Sequence, residues 1–295
     1  MMAAPSFRYA ELRDAIKFGA MHLNEQPHAP GSGRLRFERV AGKTSVVESF
    51  AASPLKFVNP SNHGSAAWVV CSTYGGGLLG GDSIDLDINV GENTKAILMT
   101  QASTKVYRSG ECARQNIDCR VGGDALFVAA PDRVACFAGS SMQQTQHYTL
   151  EPDANLVVVD WISAGRLESG ERWQFDRYSN RIEIWSAGRL IFLDALLLDD
   201  AHGALAFRMS RFNTLATVVL AGPMLASGIA ALLSQIAEAP IAPRALTRIA
   251  ASPLGDGGAV LRLASESVEA LGAQLRAVLE FVCELIGEDP WARRW

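Results

Sequence analysis

The stretch Ser83-Ile-Asp-Leu-Asp-Ile-Asn-Val90 alternates polar and apolar residues one by one, with Ile84, Leu86, Ile88 and Val90 on one face. A period of two belongs to a strand that turns one face to a core and the other to water. A helix would need apolar spacings of three and four. The same texture recurs on both sides of this stretch. Residues 34–40 alternate, Gly42 offers a turn, and 44–50 reads as the return strand. Apolar or alternating runs follow at 66–73, 95–100, 115–121, 125–129, 143–150 and 156–162, then at 172–179, 181–186 and 190–197. Gly, Pro, Asn and Asp separate them, and helical periodicity is absent from 34 to 200. The chain is therefore expected to be mainly β, with an all-β body over 31–210 built as a sandwich, a barrel or a β-solenoid. No fixed-period repeat supports a regular solenoid.

The last third has a different texture, and 211–295 reads as a C-terminal α+β portion in the order strand, helix, strand, strand, helix. Residues 215–220 look like a strand. Gly222-Pro223 then opens a helix, with Met224, Leu225, Ile229, Leu232, Leu233 and Ile236 on one face. Strands at 245–251 and 259–263 flank Gly255-Asp-Gly-Gly258, a hairpin-type turn. Ser265 is expected to cap the second helix, which carries Leu271, Leu275, Val278 and Val282 on its apolar face and stops at Gly287. Residues 1–30 run into Pro27, Pro30 and Gly31 and read as a flexible extension with a short helix over 9–21. The uncharged run 212–237 reads as strand, turn and buried helix, not as a membrane span.

Composition narrows the function. The 295 residues are 48% hydrophobic and 20% charged, the profile of a globular protein. With 27 Lys+Arg against 31 Asp+Glu the net charge is -4, so a basic footprint for nucleic acid is missing. The five cysteines are odd in number and form no CxxC pair, as expected of free thiols in a reducing cytoplasm. Arg8, Glu11, Arg13, Asp14 and Lys17 interrupt any signal-peptide run. Gly75, Gly77 and Gly80 match GxGxxG in form, but a strand follows where a dinucleotide site needs a helix. Gly42-Lys43-Thr44 lacks the first glycine of a P-loop, because position 37 is Phe37. GxSxG, HExxH and DxDxG are absent, and His22, His28, His63, His147 and His202 show no ligand spacing.

Two blocks call for more than a solvated loop. Gly75-Gly-Gly-Leu-Leu-Gly-Gly-Asp82 places five glycines in seven positions, which permits close backbone approach, and Asp82 stands at the mouth of a strand. Asp82 there is either a turn carboxylate or the lining of a narrow polar passage. Thr100-Gln-Ala-Ser-Thr-Lys-Val-Tyr-Arg-Ser109 mixes small hydroxyls with Lys105, Tyr107 and Arg108. Thr104, Lys105, Tyr107 and Arg108 are candidates for docking a protein partner, since Tyr and Arg are favoured at interfaces.

These two blocks, with Asp160-Trp161, Gly165-Arg166, Gly170-Glu171, Trp173 and Arg181-Ile-Glu-Ile184, resemble the UreD/UreH family of urease accessory proteins over residues 34–200. Tyr74 and Arg133 depart from the family at turns, and 1–30 has no counterpart. The resemblance implies an irregular β-helix-like body with two helices. It implies a cytoplasmic scaffold and not an enzyme, binding apo-urease together with a UreF-type accessory protein and a UreG-type GTPase. It also implies a tunnel for transient Ni(II), with no permanently bound cofactor, nucleic acid or membrane. Asp82 matches the acidic residue that closes the family's glycine block, and Asp194 matches a second acidic position linked to nickel passage. Glu171 is a third candidate, or else an ion-pair partner of Arg166. Hydrated Ni(II) cannot cross a dry channel, and a tight His/Cys cage would trap it, so sparse carboxylates suit transit. The alternatives are a paralogue serving another metalloenzyme and a hydrolase with an unrecognised site.

Overall fold

A computed structural model describes residues 29–61, 64–240 and 242–291. The expected N-terminal extension and its helix over 9–21 lie outside these residues, apart from Ala29 and Pro30. In chain order the elements are β1 (Ser32–Val40), β2 (Lys43–Ala51), β3 (Leu55–Val58), β4 (Ala67–Thr73), β5 (Ser83–Val90) and β6 (Lys95–Thr100). Then come β7 (Thr104–Val106), β8 (Ala113–Val121), β9 (Leu126–Ala129), β10 (Val134–Cys136), β11 (Ser141–Leu150), β12 (Asn155–Ser163), β13 (Arg177–Ser186) and β14 (Arg189–Asp199). The last part holds α1 (Leu205–Arg208), β15 (Thr214–Ala221), α2 (Ala226–Glu238), β16 (Thr247–Pro253), β17 (Ala259–Ser265), α3 (Val268–Val278) and α4 (Glu280–Ile286).

The strands form two sheets. One has the order β14-β13-β11-β8-β5-β1-β2, the other β16-β17-β15-β12-β9-β6-β4-β3, with β7 and β10 attached beside β12. From β4 to β13 the chain alternates between them. β5, β8, β11 and β13 pair in parallel in the first sheet, while β4, β6, β9 and β12 do so in the second. Each coil thus supplies one strand to each sheet, the winding of an irregular β-helix. The coils begin at Ala67, Lys95, Leu126 and Asn155, which is 28, 31 and 29 residues apart. Their connections differ in length and residue type, which hides this near-period from the sequence.

Antiparallel strands finish both ends. β2 and β14 cap the first sheet, and β15, β17 and β16 continue the second beyond β12. The sheets enclose one core, and a second core lies between the second sheet and α2, α3 and α4. The uncharged run 212–237 folds as β15 and α2, and no helix among the described residues is long and apolar enough to cross a membrane.

Three local expectations need correction. The two strands expected at 172–179 and 181–186 are the single strand β13, because Trp173 and Phe175 fold into the inter-sheet core before it starts. The last helix is capped by Ser267, whose hydroxyl accepts from the Ala270 N–H at 3.2 Å, while Ser265 ends β17. That helix is also broken in two at Leu279 (φ -109°, ψ 10°), and the one-turn α1 had no signal in the sequence.

Candidate functional site

The glycine block is where the chain closes on itself. A Cβ on Gly77 would lie 2.5 Å from the Tyr107 ring and 2.6 Å from the Lys105 carbonyl, and one on Gly80 only 2.2 Å from the Glu111 carbonyl. No side chain fits there. The Leu78 N–H donates to the Lys105 carbonyl at 2.8 Å, and the Tyr107 N–H returns to the Leu78 carbonyl at 2.9 Å. The two blocks singled out in the sequence are therefore one structure. Thr104 and Lys105 lie on β7; Tyr107 stands edge-on to Phe137 at 5.2 Å, and the exposed Arg108 runs along Gly139.

Between these blocks opens a cavity of about 300 Å³. Gly76, Gly77 and residues 100–105 line its mouth, so it reaches Thr104 and Lys105 but not Tyr107 or Arg108. It enters between the sheets past Leu86, Leu98 and Ile117 and meets the buried polar side chains of Gln144, Gln146, Tyr148 and Asp160.

Strand parity sets the position of Asp160. On β12, Leu156, Val158 and Ile162 face the inter-sheet core, and Val157, Val159 and Trp161 face the helices. Asp160 falls on the inter-sheet parity and is 7% exposed. Its Oδ1 accepts from Gln144 Nε2 at 2.8 Å and Gln146 Nε2 at 3.0 Å; its Oδ2 accepts from Asn180 Nδ2 at 2.9 Å. Burial pushes the Asp160 carboxyl up to about 6; the three amides oppose this shift and the Asp194 charge adds to it. The Tyr148 hydroxyl donates to Gln146 Oε1 at 2.9 Å. Gln144 Oε1 and the Tyr178 hydroxyl are buried with no hydrogen-bond partner within the protein.

A polar row runs onward from this point. Gln115, Gln144 and Asn180 are in register on β8, β11 and β13, all on the inner face. Across the second sheet, Asp160, Thr217 and Arg262 are in register on β12, β15 and β17. Arg262 donates to Thr217 Oγ1 at 2.9 Å and grips both oxygens of Asp194, at 2.8 and 3.0 Å. Asp194 thus stands at the far end of a row of polar groups that begins in the cavity, with the Arg262 guanidinium between it and Thr217.

The other sequence candidates stand apart from this row. Asp82 accepts from the Leu79 N–H at 2.8 Å and ties the glycine turn, without lining the cavity. Glu171 pairs with Arg166, which holds its carboxyl below the usual range, and accepts from the Ala138 N–H at 3.1 Å. The structure therefore places Thr104 and Lys105 on a cavity that reaches Asp160, sets Asp194 outside its lining against Arg262, and leaves Asp82 and Glu171 in local contacts.

Sequence reading missed Asp160, Gln144, Gln146 and Asn180 as site residues. Asp160 left one signal, a carboxylate inside the otherwise apolar run Leu156-Val-Val-Val-Asp-Trp-Ile162. As metal ligands the row offers oxygen atoms only, and both oxygens of Asp194 are taken by the Arg262 guanidinium. Among the described residues, no group of three or more His, Cys, Asp or Glu could hold a metal ion. Cys71 lines the cavity, but burial pushes its thiol up to about 12, so it stays neutral.

The family model described as UreD urease accessory protein matches residues 29–295. A urease accessory protein UreD of Sorangium cellulosum is 50% identical over 265 residues, covering 90% of this chain and 84% of that protein. A urease accessory protein D of Oryza sativa subsp. japonica is 41% identical, covering 70% of this chain and 69% of its own. The corresponding protein of Arabidopsis thaliana is 31% identical over 88% of this chain and 99% of its own length.

Proposed function

The chain belongs to the UreD family of urease accessory proteins, and from that membership we propose that it is a cytoplasmic scaffold carrying Ni(II) toward apo-urease. As a member of that family it is an accessory protein in urease maturation and not an enzyme. In the proposed assembly it binds a UreF-type partner and, through it, a UreG-type GTPase. The ion enters at the mouth formed by the glycine block and residues 100–105, pauses at Asp160 and leaves toward Asp194.

The observation that carries this reading is the polar row across an otherwise apolar core. A buried carboxylate in a dry sandwich is destabilising, and a fold that needed only stability would place an aliphatic residue there. One carboxylate with neutral oxygens lowers the barrier for a divalent cation without trapping it. The edge strand β14 supports a role as scaffold: Leu193 is 46% and Leu197 47% exposed on its outer face. A long apolar edge invites a partner.

The test is urease activation in a strain lacking its native scaffold. Wild type restores activity. Asp160→Asn and Asp194→Ala lose most of it while still capturing the UreF-type protein in a pull-down. A folded wild-type chain that neither captures that protein nor restores activity overturns the reading.

A further inference from the structure

Asp160 lines the cavity with both oxygens held by amide donors. Three amide N–H groups point at its two oxygens, and two of them, from Gln144 and Gln146, line the cavity beside Asp160 itself. The three amides are not held alike. Gln146 is fixed at both ends, its nitrogen on Asp160 and its oxygen taking the Tyr148 hydroxyl at 2.9 Å. The Asn180 oxygen takes a long contact from Gln146 Nε2 at 3.4 Å. The Gln144 oxygen has no donor within the protein, and the residue lines the cavity. A carbonyl with no protein donor, in a residue that lines a cavity, is left to a ligand from that cavity.

We propose that Gln144 is an amide gate on the passage. Its –NH2 end caps Asp160 while the cavity is empty, and its carbonyl end becomes a ligand when a divalent cation reaches the carboxylate. This rests on the reading of the cavity as a cation passage. The two ends of a primary amide are nearly the same size, so half a turn about the last side-chain bond exchanges donor for acceptor with little steric change. The cation replaces the positive end that Asp160 loses, and the turned amide supplies a second oxygen. Gln146, held by Tyr148, keeps the carboxylate in place through the turn. One formal charge against a divalent ion, with neutral oxygens beside it, gives a stop that releases its cargo. Gln144 is then a positioning residue when the passage is empty and a ligand only in transit.

The amide and its replacements separate these roles. Ni(II) alone is added to the purified full-length chain and its binding followed by equilibrium dialysis, with Co(II) absorption as a second, spectroscopic readout. Wild type binds weakly, and Asp160→Asn abolishes binding. Gln144→Leu removes both ends of the amide and weakens binding about tenfold. Gln144→Glu keeps the oxygens and loses the donor; it tightens binding about tenfold, shifts the Co(II) spectrum and slows urease activation in cells, because the ion is retained. Gln144→Met, equally long, replaces the Leu variant if that one does not fold.

Unchanged binding in Gln144→Leu, or weakening in Gln144→Glu equal to that in Gln144→Leu, overturns the gate. So does wild-type binding that does not depend on Asp160. If binding follows this series while urease activation is the same in every variant, Gln144 is a cation ligand beside Asp160, and both the passage reading and the gate fall.

Discussion

The two faces of β12 lie one residue apart and have opposite chemistry. Val157, Val159 and Trp161 enter an apolar core against α2, α3 and α4. Leu156, Val158 and Ile162 enter a core of similar composition, yet Asp160 on that face brings Gln144, Gln146 and Asn180 into it, beside a cavity of about 300 Å³. The helix-side core has what stability requires. The inter-sheet core gives up some stability for a polar row. The lesson is that a strand buried on both faces can separate stability from function by residue parity alone.

The contrast can be broken most strongly on the helix side. Leu271, fully buried on α3, has no part in the polar row. Leu271→Ala is expected to cost about 2–5 kcal/mol in denaturant unfolding. Ni(II) binding by the fraction that stays folded is unchanged. A loss of metal binding in the folded protein would mean that the two cores are coupled.

Asp160→Asn sharpens the contrast from the other side. The Asp160 carboxyl is raised by burial from 3.8 to about 6, so between these values the folded state holds more protons than the unfolded state. Stability from this group is therefore greatest at low pH and falls as pH rises toward 6. At pH 7 the ionised group costs up to about 3 kcal/mol, at 1.36 kcal/mol per pKa unit. The Asn variant should be more stable than wild type at pH 7 by up to that amount and close to it at pH 4, while urease activation is lost. Unfolding curves at the two pH values check this, and a variant less stable than wild type at pH 7 would show that Asp160 holds the fold.

The mouth gives an intermediate effect. In Gly77→Ala the new methyl meets the Tyr107 ring and the Lys105 carbonyl, so β7 must shift at a cost of about 1–3 kcal/mol. Partner capture should fall more than the thermal midpoint does. The smallest effect belongs to the Asp194–Arg262 pair, in which the Arg262 side chain is 52% exposed. Removing either partner should change stability by below about 1 kcal/mol. A double-mutant cycle that finds several kcal/mol would make Asp194 a structural residue.

Much of the body was legible because a period of two survives in single strands. The residues 83–90 and 95–100 are β5 and β6 with the expected ends, and Gly222-Pro223 opens a short 3-10 turn before α2. The strands β3, β7 and β10 were not legible, since three or four residues are too few to show a period. The site was legible only in part. Glycine density marked the mouth, because close approach leaves no choice of residue at Gly77 and Gly80. Glu171 and Asp82 carried the same chemistry as Asp194 in one dimension, and only their contacts separate them.

The amino-acid sequence by itself determined the β texture, the α+β end, the crossing of the glycine block and the family. All of these depend on neighbours in the chain or on a geometry that admits one residue type. The tertiary structure decided which strands share a sheet and which face of β12 meets Gln144, Gln146 and Asn180. It also decided that Thr217 and Arg262 extend the row from Asp160 to Asp194. Those partners lie between 14 and 68 residues apart in the chain. Their meeting is set by register, parallel among β8, β11 and β13 and antiparallel among β12, β15 and β17, which no local pattern encodes.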